Sequence, residues 1–223
     1  MDINKKAAIE KRIMAVGEKL RRNNMEFYYA EKASDVRGIV EGLMREGDTV
    51  THGGSVSMAE CGIKELLNSG KYNYLDRSKA ATPEETLAVY RASFSADVYI
   101  SSANAITDDG VLYNVDGNSN RIAAIAFGPS SVIIIAGNNK LVHDLKEAET
   151  RVKTAAAPPN CVRLSCDTYC KEKGECVSLQ HGDHQIYDGC SGDGRICCNY
   201  LISAQQRHKG RIKVILVGEE LGF

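Results

Sequence analysis

Thr49-Val50-Thr51-His52-Gly53-Gly54-Ser55-Val56-Ser57-Met58-Ala59-Glu60 is the stretch on which the fold turns. Residues 49–51 read as the end of a buried strand. From Ser55 to Leu67 the apolar residues Met58, Ile63, Leu66 and Leu67 recur at helical steps. Gly53-Gly54 supplies the turn between strand and helix.

The pattern repeats on both sides of this turn. Upstream, Ile9, Ile13, Val16 and Leu20 form the apolar stripe of an N-terminal helix, Met25–Tyr29 reads as a strand, and Val36, Ile39, Val40 and Leu43 share one face of a helix over 33–45. Downstream, a strand is predicted at 72–76. Thr82-Pro83-Glu84-Glu85 then opens a helix running to about Phe94: the hydroxyl caps, proline fits the first position, and glutamate stands at the third. Strands are predicted at 97–101, 111–115, 132–135 and 211–217, with a helix over 140–152 carried by Leu141, Leu145 and Ala148. Two prolines within 155–160 mark the change to a cysteine-rich segment at 161–200. This alternation predicts an α/β fold, a mainly parallel sheet flanked by helices, as a single domain over 1–223. Ligands of such sheets sit beyond the carboxyl ends of the strands.

Composition narrows the function classes. With 43% hydrophobic and 26% charged residues the chain is globular in character. A net charge of -1 without a basic stripe argues against nucleic acid as a partner. The longest apolar run, Ser131–Ala136, is too short to span a bilayer, and the charged start reads as a helix and not as a signal peptide. The expectation is a cytoplasmic protein. Seven of the eight cysteines fall between Cys161 and Cys198, and in a reducing compartment such clustering reads as metal ligation more often than as disulfides, which stay the alternative.

Three polar segments are candidate ligand contacts. The Gly53-Gly54-Ser55-Val56-Ser57 turn presents backbone N–H groups and hydroxyls at a helix start, which suits a phosphate or carboxylate, while an ordinary capped turn accounts for it equally well. In the second, Asn104, Asp109, Asn118, Asn120 and Arg121 crowd the loops after two strands. Arg121 has the fork geometry for an anion and Asp109 the chemistry of a general base or nucleophile, against the plainer reading that Asn, Asp and Gly make turns. In the third, Asn138-Asn139-Lys140, the lysine either steers an anion or is a solvated surface residue. Thiolates at four of the late cysteines suit zinc or an iron–sulfur cluster, although no C-x2-C pair is present; His181, Asp183, His184 and Asp188 lie among them.

Taken together, these segments resemble the lactate-utilisation (LUD) domain family over essentially the whole chain. The resemblance rests on 53–62, on Ala103-Asn104-Ala105-Ile106-Thr107-Asp108-Asp109-Gly110, on 117–123, on Gly137-Asn138-Asn139-Lys140-Leu141-Val142 and on the tail 211–223. It implies the fold class of ribose phosphate isomerase and the CoA transferases. It further implies an anion cradle at Gly53, Gly54, Ser55 and Ser57, with Asp109 and Glu60 as reacting carboxylates. Asp109 stands where many relatives carry glutamate, which weakens a covalent thioester role. A shorter-chain branch of the family ends in cysteine steps that Cys170, Cys176, Cys190 and Cys197 match in order, with Tyr169 in place of a proline and extra residues at about 178–188. By that likeness these four are the metal ligands. The implied roles are organic-acid utilisation with a small anionic metabolite as ligand, a noncatalytic subunit beside other lactate-utilisation subunits in an iron–sulfur oxidoreductase complex, or a metabolite-sensing regulator. A homo-oligomer is compatible with each.

Overall fold

The computed structural model describes residues 2–223. The first half runs α1 (Ile3–Arg22), β1 (Glu26–Ala30), α2 (Ala33–Gly42), β2 (Thr49–His52), α3 (Val56–Glu60), α4 (Ile63–Leu67), β3 (Asn73–Tyr74), α5 (Pro83–Ala92) and β4 (Val98–Ser101). It continues with β5 (Ala105–Thr107), β6 (Leu112–Asp116), α6 (Asn120–Ala126), β7 (Ser131–Gly137), β8 (Leu141–Val142), α7 (Leu145–Arg151), α8 (Ala157–Leu164), α9 (Tyr169–Lys173), β9 (Asn199–Ser203) and β10 (Ile212–Val217). Among the described residues no helix is long and apolar enough to cross a membrane.

Six strands form one sheet in the order β1-β10-β7-β4-β2-β3, with every neighbouring pair parallel. Its central strand shows why the apolar run at 131–136 lacks an alternating pattern. Val132, Ile134 and Ala136 face α1 through Ile13, Val16 and Leu20, whereas Ile133 and Ile135 face α2 and α4 through Val36, Val40, Leu66 and Leu67. Successive side chains point to opposite faces, and both faces are covered, so every position is apolar.

A second sheet, in the order β8-β5-β6-β9, mixes parallel and antiparallel pairs. Sequence reading recovered only β6 of it, because β5 and β8 are three and two residues long. The helix expected over 140–152 starts at Leu145. Leu141 and Val142 pair with Ile106 and Thr107, and the Asp144 side chain caps the backbone of Glu147 at 2.8 Å. The helix expected over 55–67 is broken at Gly62, which takes a left-handed φ of 64°. Asn120 and Arg121, read as part of a loop, open α6, whose start is held by Asp116 accepting from the backbone of Arg121 and Ile122. The two prolines near 158 do not end the helix there. The chain passes through a π turn at Val152–Ala156 and resumes as α8 with proline in its first turn, where the missing N–H is tolerated.

Candidate functional site

In the main sheet β7, β4 and β2 are neighbours, and their carboxyl ends release three turns side by side: Gly53–Ser57 after β2, Ser102–Asn104 after β4, and Asn138–Lys140 after β7. These turns open onto a cavity of about 510 Å³. Gly54, Ser55, Ser57, Asn104, Asn118, Asn120, Arg121 and Lys140 all line it, so eight of the eleven residues expected at the site from sequence converge there. Gly53 packs behind the wall, where a Cβ would lie 2.9 Å from the Tyr99 hydroxyl and 3.1 Å from the Arg121 side chain. Only a residue without a side chain allows that approach. Ser55 is the N-cap of α3, accepting from Met58 N at 3.4 Å, so the turn both caps a helix and borders the cavity.

The two expected carboxylates are elsewhere, and this corrects the sequence reading. Asp109 is 82% exposed and faces α1, with Lys19 3.9 Å away. Its backbone carbonyl accepts from Asn23, and Gly110 is pressed against the Lys19–Leu20 backbone. The antiparallel hairpin between β5 and β6 carries residues 108–111 to the far end of that pair, away from the carboxyl ends of the main sheet. Glu60 lies outside the cavity as well, accepting from the backbone N–H of Gly222 at 2.7 Å.

Cations dominate the cavity wall. Arg77, Arg121, Lys140, Arg163 and Arg195 line it, against Asp116 and Asp193. None of these five takes part in an ion pair among the described residues. Arg121 spends its guanidinium on neutral acceptors: Nη1 donates to Ser102 O and Asn114 Oδ1, and Nη2 to Asn104 Oδ1 and Val115 O, at 2.7–3.0 Å. Its role is to pin the loops after β4 and β6 while keeping its charge at the wall.

Lys140 is 3% exposed, and its Nζ donates to Ser57 Oγ and Ser102 Oγ, each at 3.0 Å. Burial, reinforced by the nearby Arg151 and Arg121, pulls its pKa down to about 7. The sequence reading of Lys140 as a surface lysine is thereby excluded. Arg77, which sequence reasoning passed over, lies in the 3-10 turn after β3 with its guanidinium above the Tyr90 ring and one bond to the Tyr90 hydroxyl. Nothing local in the sequence marks it. Arg163, Arg195, Cys166 and Asp193 come from the cysteine-rich segment, which therefore forms one wall of the cavity and is not a separate appendage.

All eight cysteines are free thiols. Cys170, Cys176, Cys190 and Cys197, the four singled out from sequence, line a second cavity of about 20 Å³ together with Tyr113, Lys153 and Tyr200. The buried Tyr113 hydroxyl has no hydrogen-bond partner among the described residues. Nevertheless, among the described residues no three His, Cys, Asp or Glu side chains are placed to hold one metal ion. The four thiols share one cavity without standing as a ready-made ligand set. The reason is packing: Cys197 lies against the apolar cluster of Tyr113, Val115, Val142 and Val152, and burial raises the Cys190 and Cys197 pKa values, so these thiols are packed as small apolar groups. Cys161 and Cys170 approach to 3.5 Å between sulfurs. Cys61 is buried under α3, pushed up to about 12 by desolvation. His184 lies 3.5 Å from Glu149, which itself lines the thiol cavity.

Comparison with known proteins gives a consistent picture. The family model for the LUD domain matches residues 13–217. No curated protein matches the sequence. Among solved structures, a DUF162 family protein from Deinococcus radiodurans superposes with a TM-score of 0.51 at 14% identity, covering 95% of this chain and 98% of that one. The eIF2B beta subunit from Chaetomium thermophilum gives a TM-score of 0.35 at 18% identity, over 52% of this chain and 44% of that one. The chain belongs to the LUD domain family.

Proposed function

We propose that this protein binds a small carboxylate or phosphate ester in the cavity at the ends of β2, β4 and β7, and serves organic-acid metabolism of the lactate-utilisation type. The observation that carries this reading is that five basic side chains, Arg77, Arg121, Lys140, Arg163 and Arg195, line one cavity and none of them is ion-paired among the described residues. Burial pulls down the pKa values of two of them, Arg121 and Lys140, and a buried cationic group without a counter-charge is costly unless something anionic binds there. The Ser55 hydroxyl, which accepts from Met58 N, retains its own O–H to donate at the same cavity. Of the two wall carboxylates, Asp116 is committed to capping α6, so recognition by charge is better supported than acid–base chemistry.

Calorimetric titration with lactate, pyruvate, inorganic phosphate and CoA esters tests this. At least one should bind with an affinity that falls as salt rises, and Arg77→Ala should weaken it about tenfold, the cost of one charged hydrogen bond of roughly 1.5 kcal/mol. Absence of heat with every ligand, or equal affinity in the variant, would sink the reading.

A second reading, a subunit that carries a metal within an oxidoreductase complex, is supported by the convergence of four thiols and an unpartnered tyrosine hydroxyl on one cavity. The donor set suits zinc or an iron–sulfur cluster, with Cys170, Cys176, Cys190 and Cys197 as ligands after the sulfurs close in. Iron, sulfide and zinc analysis of anaerobically purified protein should then find about one ion or cluster per chain, lost when Cys170 and Cys176 become serine. Metal-free protein whose thiols all react freely speaks against it.

A further inference from the structure

Lys140 is placed to do more than attract an anion. Its Nζ reaches the cavity from the turn after β7 and meets two hydroxyl oxygens, Ser57 Oγ and Ser102 Oγ. Both hydroxyls donate onward, Ser57 to the Leu221 carbonyl at 3.2 Å and Ser102 to the Ala103 carbonyl at 3.3 Å, so each acts as an acceptor toward the lysine. A neutral primary amine has two N–H bonds and one lone pair. The two hydroxyls take the N–H bonds and leave the lone pair unengaged. No carboxylate bonds to Nζ among the described residues; Arg151 and Arg121 stand close enough to disfavour a third positive charge, and the opposing pull of the Glu60 carboxylate is smaller than the effect of burial and the two arginines. A lysine desolvated beside other cations is the setting in which this side chain becomes a nucleophile.

A carboxylate holder lines the same cavity. Among the described residues Arg77 makes one hydrogen bond, to Tyr90, and its Nη2 rests against Gly54, where a Cβ would come within 2.8 Å. The rest of its guanidinium is available to a carboxylate.

We propose that Lys140 captures a small oxo acid as an imine, with the carboxylate of that acid held by Arg77; the inference rests on the anion-binding reading of this cavity. The Nζ lone pair adds to the carbonyl carbon, the C=O π pair moves to oxygen, and a proton passes from nitrogen to oxygen, giving a carbinolamine. Its hydroxyl then leaves as water with the second N–H proton, and a C=N bond joins lysine to ligand. No oxidant or reductant takes part. Ser57 and Ser102, already bonded to Nζ, are the groups that can relay the two protons.

Borohydride trapping reads this out. The whole protein is incubated with pyruvate, 2-oxobutyrate or acetoacetate and cyanoborohydride, digested and mapped by mass spectrometry. The expected result is a reduced adduct of about one ligand per chain on the peptide holding Lys140. Its yield should rise as pH passes through about 7, with inorganic phosphate suppressing it by competition. Lys140→Met and Lys140→Arg should abolish it, and phosphate protection of the unaltered protein keeps the test decisive if either variant folds poorly. Adducts scattered over surface lysines, unchanged by phosphate, overturn the proposal. Heat of binding for these oxo acids without a Lys140 adduct overturns the imine and leaves the anion cavity standing; absence of both binding and adduct removes the two together.

Discussion

Arg121→Ala is expected to lower the free energy of unfolding by about 3–5 kcal/mol, the largest stability loss for any wall residue of the cavity. Four acceptors, Ser102 O, Asn114 Oδ1, Asn104 Oδ1 and Val115 O, lose their donor at once. Asn114 is fully buried, so water cannot replace the guanidinium there without opening the loop after β6. The Asn104 side chain also accepts from Val115 N at 2.9 Å, which ties the loop after β4 to β6, and this link slackens in turn. Urea denaturation measures the effect, and Arg121→Lys should recover only part of it, because an ammonium cannot reach four acceptors in one plane. A loss below about 1 kcal/mol would mean that the four bonds do not hold these loops.

The second large effect concerns Lys140 and pH. Its pKa is about 7 in the folded protein against an ordinary value of 10.5, so between those limits the unfolded chain binds more protons than the folded one. Stability from this group is therefore fully present above about 10.5 and is lost as pH falls through about 7. Over that window the unfolding free energy should rise with pH by on the order of 5 kcal/mol, before other groups are counted. In Lys140→Met the rise should vanish, with the variant gaining stability over the natural chain near pH 6. For an anion without a carbonyl, such as lactate or phosphate, binding favours the charged amine. Affinity should then drop as pH climbs above about 7, and binding should take up a proton, visible as a dependence of calorimetric heat on buffer ionisation. Parallel pH–stability curves for both proteins would show that Lys140 is not the titrating group.

A good part of this molecule is written locally. The strand–Gly-Gly–helix turn at 49–60, the stripes of α1 and α2, and the run at 131–136 are short-range patterns, and each became the element its spacing implied. The late cysteines were legible as a group for the same reason, and Cys170, Cys176, Cys190 and Cys197 do share a cavity. Short elements escaped: β5 and β8 carry too few residues for a period to emerge, and they exist because partner strands supply the hydrogen bonds. The Asp144–Glu147 cap was a readable start signal for α7 that the spacing of Leu141 obscured.

By itself, then, the order of residues determined the alternation of strands and helices, and with it the parallel sheet and the end of that sheet at which a ligand site belongs. Tertiary structure alone decided which side chains meet there. Lys140 reaches Ser57 across 83 positions of sequence, Arg77 arrives from an unremarkable turn, and the cysteine-rich segment folds back as a wall. Asp109, only five residues beyond Asn104, is carried to the other end of its hairpin. Periodicity reports which face of an element is apolar, whereas the meeting of side chains depends on how elements pack, which is set by long-range burial and hydrogen bonding that no local window contains.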